Sequence, residues 1–235
     1  MHTAEIGFDL NMKRALSMIV SALCLAVATA FSQLQENIGP GGDENKTITT
    51  KAPSGQYCLI QTRANPPLKS CEASWACYQT KVHFESSSKP DQVLAPVGLA
   101  QKVGYQAAAD YVISPDERWF LRDQHIFAGW NILVLYNVEA DRHVRLVSDK
   151  LRDLGLSCVL GNLHRTNKEW ASISTNDFDH VSAENASWNA SSGVIHFKVF
   201  ARVSMLNPKA KTLGSIDGEP VDYNVKTGKV SASTK

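Results

Sequence analysis

The stretch 113–138, ISPDERWFLRDQHIFAGWNILVLYNV, constrains the fold more than any other part of the chain. Pro115 presets φ for the first central position of a type I turn, and Ser114 and Asp116 can bond nearby backbone N–H groups. A run of β-forming residues follows, and after a polar, glycine-containing break comes the nearly all-apolar run 131–138. A continuous apolar run is typical of a strand that is covered on both faces. The stretch therefore predicts a tight turn and two strands, the second buried on both sides.

A weaker copy of this pattern lies near the C-terminus. The turn cluster 187–193 precedes the run 194–203, in which apolar and polar residues alternate. Tyr136-Asn137-Val138 also recurs as Tyr223-Asn224-Val225. Such self-similarity predicts a degenerate internal repeat of turn, strand, connection and strand. The alternation in 194–203 predicts a strand with one core face and one solvated face.

These pieces resemble the short β-propeller repeats of the TolB/PD40 type, in which a Ser-Pro-Asp-Gly turn precedes a strand and an Asp-x-x-Thr-Gly turn follows a later one. Ser114-Pro115-Asp116 and Lys226-Thr227-Gly228-Lys229 carry the likeness. Glu117 stands where the repeat has glycine, and Asn189-Ala190-Ser191 stands in place of the second Ser-Pro-Asp. A closed propeller needs about four or more blades, and two candidate units are found. The resemblance implies propeller-like hairpins in a small sheet, without a closed propeller or an inherited activity.

The first 30 residues have the pattern of a secretory signal peptide. A basic segment, Met12-Lys13-Arg14, precedes the apolar run 15–27 and the cleavage sequence Ala28-Thr29-Ala30. Met12 is the expected start, because the acidic, polar prefix 1–11 has no role in a signal. An uncleaved anchor is the alternative, although the apolar run is shorter than the ~20 residues that span a bilayer comfortably. We therefore expect a secreted or periplasmic protein that contacts the membrane only through this segment, if the segment is kept.

Four cysteines remain after the predicted cleavage, namely Cys58, Cys71, Cys77 and Cys158. An even number in an exported chain indicates two disulfides, whose connectivity cannot be read from sequence. The spacing favours a local pair of Cys58 with Cys71 or Cys77. Free thiols and a zinc site are the alternatives, and zinc is disfavoured because no C-x-x-C pair is present.

The remaining pattern predicts one β-rich α+β domain at 56–230, with a mostly antiparallel sheet. Composition predicts a flexible linker over 31–55 and a frayed tail over 231–235. One clear amphipathic helix is expected over 141–154, because Val144, Val147, Leu151 and Leu154 recur at spacings of three and four. Asp141 fits as its N-cap and Gly155 as its C′ residue.

After this helix we expect a strand over 156–160, which either forms a βαβ unit with 131–138 or leaves the helix packed across an antiparallel sheet. The polar stretch 161–187 is expected to be irregular.

The densest group of candidate ligands is Asp177-Phe178-Asp179-His180. Two carboxylates and an imidazole can bind a divalent cation, and a solvated polar loop is the alternative. His125, with Asp123 and Asp116 near the same turn, can form a general-base pair, and a strand-end histidine is the alternative. No P-loop, dinucleotide fingerprint, HExxH or EF-hand loop is present in the sequence.

Two further sets of side chains allow a binding role. The basic residues of 194–203 can bind an anionic group or can form an ordinary solvated face: His196, Lys198 and Arg202. The tryptophans can stack on sugars or can belong to the core: Trp75, Trp119, Trp130, Trp170 and Trp188.

The formal net charge of +1 gives no electrostatic basis for binding nucleic acid. The sequence predicts an exported, non-enzymatic binding or structural domain, with an unidentified protein or cell-envelope partner and no cofactor. The alternative is an exported hydrolase or metal-dependent enzyme that uses Asp177, Asp179 and His180, or His125.

Overall fold

The chain forms three four-stranded antiparallel sheets that follow one another along the sequence, in a computed structural model. The structure describes residues 47–64, 77–98, 101, 105, 107–127, 130–208 and 213–233, all within one compact unit, Glu44–Lys235. In each sheet the spatial order of the strands follows the chain, so each sheet is a meander. The prediction of a β-rich, mostly antiparallel fold is confirmed.

The strands of the described residues are grouped by sheet. Sheet 1 contains β1 (Thr47–Lys51), β2 (Tyr57–Ala64), β3 (Cys77–Phe84) and β4 (Gln92–Leu94). Sheet 2 contains β5 (Asp110–Ile113), β6 (Trp119–Phe127), β7 (Trp130–Val138) and β8 (Val144–Ser148). Sheet 3 contains β9 (Phe178–Trp188), β10 (Val194–Val203), β11 (Ser215–Asn224) and β12 (Val230–Ala232).

The helix α1 (Leu151–Thr166) lies between sheets 2 and 3 in sequence. Two short 3-10 helices follow it, Lys168–Trp170 and Thr175–Asp177. The helix expected over 141–154 is therefore misplaced, because 144–148 form β8, which pairs with β7. No helix of the described residues is both long and apolar enough to cross a membrane.

Gly155 lies inside α1 and is not the residue that ends it. A Cβ atom at Gly155 would lie 2.8 Å from the side chains of Phe197 and Val199 on β10. The helix thus approaches sheet 3 closely at this glycine. The predicted strand over 156–160 is also part of α1, so the βαβ unit that it would have completed is not formed.

Sheet 2 lies between two hydrophobic clusters and has both faces buried. On β7, Ile132 and Val134 pack in a cluster with sheet 1, whereas Leu133 and Leu135 pack in a cluster with α1 and sheet 3. Successive side chains of a strand point to opposite faces, so the continuous apolar run fills both clusters. The prediction that this strand is covered on both sides is confirmed.

The predicted alternation in β10 is also confirmed. Its buried side chains all belong to the cluster that packs against α1: Ile195, Phe197, Val199, Ala201 and Val203. The intervening residues are less buried, as expected for a strand with one core face.

The first hairpin of each sheet has a turn with the same backbone hydrogen bonds. We name these turn 1 (52–57), turn 2 (114–119) and turn 3 (189–194). In each, the N–H of the first residue donates to the carbonyl of the sixth at 2.9–3.0 Å, and the N–H of the fourth donates to the carbonyl of the first at 2.8–3.0 Å. The fourth residues share a positive φ: Gly55 at 75°, Glu117 at 56° and Ser192 at 55°.

The three turns are hydrogen-bonded to one another. The N–H of Ser54 in turn 1 donates to the Glu117 carboxylate in turn 2 at 2.6 Å. The N–H of Asp116 in turn 2 donates to Oγ of Ser192 in turn 3 at 3.0 Å. Turns 1 to 3, which we call the turn row, therefore connect all three sheets.

The limits of the folded unit differ from the composition-based ones. The strand β1 lies inside the stretch 31–55 that composition predicts as a linker, and its β-branched residues pair with β2. The strand β12 includes Ser231 and Ala232 of the predicted tail. The predicted signal peptide, 1–30, lies outside the described residues.

Candidate functional site

Asp177, the first predicted metal ligand, is used locally to cap the 3-10 helix Thr175–Asp177. Its carboxylate accepts the backbone N–H of Ser174 at 2.7 Å and the Ser174 hydroxyl at 2.8 Å. The side-chain amide of Asn207 donates to the other carboxylate oxygen at 2.8 Å. These bonds, led by the Ser174 backbone N–H, hold the pKa of Asp177 below its usual value.

Asp179 and His180, the other two predicted ligands, are bonded to each other at the start of β9. His180 Nδ1 lies 2.9 Å from the Asp179 carboxylate, and Arg202 Nε lies 3.6 Å from it. The hydrogen bond from His180 is the main reason that the pKa of Asp179 is lowered. In the described part of the chain, no three His, Cys, Asp or Glu residues are grouped so that they could hold a metal ion.

A groove of about 370 Å³ lies next to Asp179. Its wall on α1 includes Arg152 and Asp153, and Phe178 lines it from β9. Arg152 donates to the Asp153 carboxylate at 2.8 Å. The two charges on this wall thus balance each other, and Asp179, which also lines the groove, is within ion-pair distance of Arg202.

The structure separates two residues of the predicted general-base group, His125 and Asp116. His125 Nδ1 lies 2.6 Å from Oδ1 of Asn131 on the neighbouring strand β7. Asp116 lies in turn 2, at the opposite end of β6 from His125. The expectation that Asp116 and His125 share a turn is wrong. Asp123 and His125 are two positions apart on β6 and so point to the same face.

Asp123 belongs to an acidic cluster that we define as Asp110, Asp123 and Glu184. Asp110 of β5 is directly opposite Asp123 in the antiparallel register, and Glu184 comes from β9. Burial raises the pKa of Asp123 to about 7, the charges of Asp110 and Glu184 add to the rise, and His125 opposes it. A carboxyl group with such a pKa can exchange a proton at neutral pH.

The basic residues of β10 face acidic groups. His196 Nδ1 lies 2.8 Å from the Asp222 carboxylate on β11, and Arg202 is within ion-pair distance of Asp179. Lys198 is opposite Glu184 in the register of β9 and β10. This arrangement is that of an ordinary charged sheet face and not of an anion site.

The described tryptophan side chains are engaged in packing. Trp170 is buried and stacks on Phe178, with ring centroids 6.3 Å apart. Trp119 and Trp188 pack against the cluster of α1 and sheet 3, and the indole N–H of Trp188 donates to the carbonyl of Val112 at 3.0 Å. This favours the core interpretation for these three. Trp75 and the Trp130 side chain lie outside the described residues.

Cys58 and Cys158 are free thiols, which differs from the expectation of two disulfides. Their pKa values are raised, chiefly by burial. Cys77 is opposite Ala64 in the register of β2 and β3, so it is six residues along the strand from Cys58, or about 20 Å. A disulfide needs Cα atoms within about 7 Å, so the predicted Cys58–Cys77 pair is wrong. Cys71 lies outside the described residues.

The structure adds a buried polar layer between sheets 1 and 2 that sequence reasoning missed. Its members are buried or largely buried side chains of the facing strands: Gln61, Thr80, Tyr111, Arg122 and Gln124. Gln61 exchanges two hydrogen bonds of 2.7 Å with the backbone of Ala109. The only signal in the sequence was the charged Arg122 inside a run of β-formers.

No protein-family model matches the chain, and no curated protein matches it either.

Proposed function

We propose that the chain is an exported protein whose three-sheet body serves as a binding or structural scaffold and not as a catalyst. The observation that carries this proposal is that the side chains predicted from the sequence to ligate a metal or to act as a base are each bonded to a neighbouring residue. Asp177 caps a turn, Asp179 is bonded to His180, and His125 is bonded to Asn131. Catalysis needs such groups to converge on one reacting atom.

A second part of the proposal is that the three sheets are copies of one propeller-like, four-stranded repeat. Tyr136 is opposite the second residue of β6, and Tyr223 is opposite the second residue of β10. The two tyrosines that recur in the sequence therefore have the same register. Turn 1, Ala-Pro-Ser-Gly-Gln-Tyr, supplies a third unit, with glycine at the positive-φ position.

The repeat can be tested by exchanging turns. Residues 189–192 of turn 3 are replaced by Ala-Pro-Ser-Gly, the residues 52–55 of turn 1. Glycine and proline at compatible positions offset the lost hydrogen bonds of Asn189 and Ser192, so we expect stability within about 1 kcal/mol of wild type. The control, Ala-Gly-Ser-Pro, places proline at the positive-φ position and should unfold the protein. Equal damage by both sequences, measured by urea unfolding, would refute equivalent turns.

Export and the absence of a metal site are tested on protein from a secreting host. We expect an intact mass that begins after Ala30, no bound divalent metal, and a Tm unchanged by chelation. Stoichiometric metal that is lost in Asp179→Asn, or turnover of chromogenic esters that is lost in His125→Ala, would support the enzyme alternative.

The same sample tests the cysteines. Alkylation of the denatured, unreduced protein should label Cys58 and Cys158, because both are free thiols in the structure. Labelling of Cys71 and Cys77 in the same experiment shows whether those two residues are bonded or free. Protection of Cys58 before reduction would contradict this assignment.

A further inference from the structure

A buried positive charge lies between sheets 1 and 2, at the guanidinium of Arg122. This residue is 0% exposed, although arginine is almost never fully buried without a partner. Its Nε donates to Oε1 of Gln124 at 2.9 Å, whereas Nη1 and Nη2 have no hydrogen-bond partner. Two amino groups of a full charge, each with two N–H donors, are thus left unsatisfied.

No acidic side chain of the described residues forms an ion pair with Arg122. The adjacent Asp123 points to the opposite face of sheet 2, because successive side chains of a strand alternate. The Arg122 charge is therefore uncompensated by this part of the chain. An unpaired buried charge is strongly unfavourable.

Aromatic rings surround the guanidinium. The Arg122 Cζ atom lies 3.5 Å from the ring centroid of Tyr105 and 5.9 Å from that of Tyr111. Such stacking favours a cation but satisfies none of the N–H groups in the guanidinium plane.

The buried hydroxyl of Tyr136 lies near Arg122 and has no partner at normal hydrogen-bond geometry among the described residues. Its pKa is raised, chiefly by burial and then by Tyr105, while Arg122 lowers it by its charge and as a hydrogen-bond donor to the phenolic oxygen. Arg122 is therefore close enough to act on this hydroxyl.

The nearby acceptors are already used. The Gln124 amide donates to the carbonyls of Ala107 and His125 and accepts from Arg122. Thr80 Oγ1 and the Tyr111 hydroxyl are bonded to each other at 2.8 Å. Nη1 and Nη2 can only donate, whereas the Tyr136 hydroxyl can donate one hydrogen bond and also accept, so acceptors are lacking for most of the four N–H groups on Nη1 and Nη2. Donors around one positive charge are the chemistry of an anion site.

We propose that Arg122 and Tyr136 bind one small monovalent anion between sheets 1 and 2, with chloride as its occupant. Packed side chains of both sheets form a single hydrophobic cluster here, which excludes a bulky anion. The anion neutralises the guanidinium and gives its N–H groups and the Tyr136 hydroxyl an acceptor. It therefore joins sheet 1 to sheet 2 from within.

The test is thermal unfolding at fixed ionic strength, with sodium gluconate replaced stepwise by sodium chloride. Above the Kd, each tenfold rise in chloride should raise the Tm by roughly 3 to 6 °C. Arg122→Met, which removes the charge but keeps the length, should show no chloride dependence. Arg145→Met is the matched control, because Arg145 is exposed and paired with Glu139, and it should respond as wild type does.

A crystal soaked in sodium bromide gives a readout that does not depend on the variants. An anomalous peak within hydrogen-bond distance of Nη1 or Nη2 of Arg122 is expected. If Arg122→Met does not fold, Tyr136→Phe takes its place and should weaken the chloride response. A wild-type Tm that ignores chloride, an equal response in the Arg122 or Tyr136 variant, or only water beside Arg122 would overturn the proposal.

Discussion

Replacing Asp123 by asparagine should remove a large part of the loss of stability that the protein undergoes as pH rises from 4 to 7. Burial and the neighbouring charges of Asp110 and Glu184 raise the pKa of Asp123 to about 7, from an ordinary value of 3.8. The folded state therefore holds a proton that the unfolded state releases between pH 4 and pH 7. Stability falls as pH rises wherever the folded state binds more protons.

The magnitude follows from the size of the pKa difference. A shift of about three units corresponds to roughly 4 kcal/mol at 1.36 kcal/mol per unit, which we take as an upper value. The Asp123 contribution is fully favourable below pH 4, is lost progressively as pH rises through 7, and is then constant. Asparagine has no charge to bury, so its advantage over aspartate should grow with pH over the same range.

The assay is urea unfolding of wild type and Asp123→Asn at pH 4 to 8.5, with the difference in unfolding free energy plotted against pH. Asp177→Asn is the control, because the pKa of Asp177 is lowered by hydrogen bonds from Ser174 and Asn207, neither of which titrates. The stabilisation that this carboxylate provides is complete above the pKa of the unfolded state and is lost only in acid. The difference in unfolding free energy between this control and wild type should therefore be flat over this range. The carboxyl carbon of Asp123, followed by NMR, should titrate with a midpoint near 7. A flat difference for Asp123→Asn, or a midpoint near 4, would refute the reasoning.

Other changes test the packing and the turn row by urea or thermal unfolding. Gly155→Ala should lower the free energy of unfolding by about 1–2 kcal/mol, because overpacking against β10 exceeds the gain in helix propensity. Gly161→Ala should raise it by about 1 kcal/mol, because a Cβ atom at Gly161 meets nothing within 4 Å. Equal effects of the two would contradict close packing at Gly155. Glu117→Ala should cost about 1–2 kcal/mol by removing the bonds to Ser54, and Glu117→Gly should recover part of this, since φ at that position is positive. A Glu117→Ala protein as stable as wild type would show that the link between turns 1 and 2 contributes nothing. Asn189→Ala should cost about 1 kcal/mol, because its side chain accepts two backbone N–H groups of turn 3.

The strands that the sequence predicts correctly are those whose burial pattern is local. The alternation of β10 matches a strand that is buried on one face, and the continuous apolar run of β7 matches a strand that is buried on both faces. The position of α1 fails because Gly155 and Gly161 lie inside the helix and weaken the helical pattern. The close approach to β10 requires glycine at Gly155, and that requirement arises only in the tertiary structure.

The stretch 161–187 shows a second limit. It contains the end of α1 and most of β9, although its composition is polar. The strand is irregular in register opposite His196 and Lys198, and Asn185 has a φ of 57°. Such irregularity interrupts the alternation from which a strand is recognised.

The candidate sites depend on the register in which the strands pair. They could not be predicted, because the sequence pattern does not give that register. Asp123 meets Asp110 only because β5 and β6 pair as they do, and a shift of one residue would separate them. Metal chemistry was expected at Asp177, Asp179 and His180 because these residues are adjacent in sequence. In the structure their polar atoms are directed at local partners instead.

Two charged groups that no ion pair of the described residues compensates, Arg122 and Asp123, are adjacent on strand β6. This strand is covered on both faces, yet it contains the consecutive polar residues Arg122-Asp123-Gln124-His125. Because successive side chains of a strand point to opposite faces, Arg122 points toward sheet 1 and Asp123 points toward sheet 3. The backbone of sheet 2 lies between them. Arg122 is accordingly not among the groups that set the pKa of Asp123. Each charge must be balanced on its own face, Asp123 by a proton and Arg122 by an anion. The two effects should therefore be independent, and Asp123→Asn should leave the chloride dependence of the Tm unchanged.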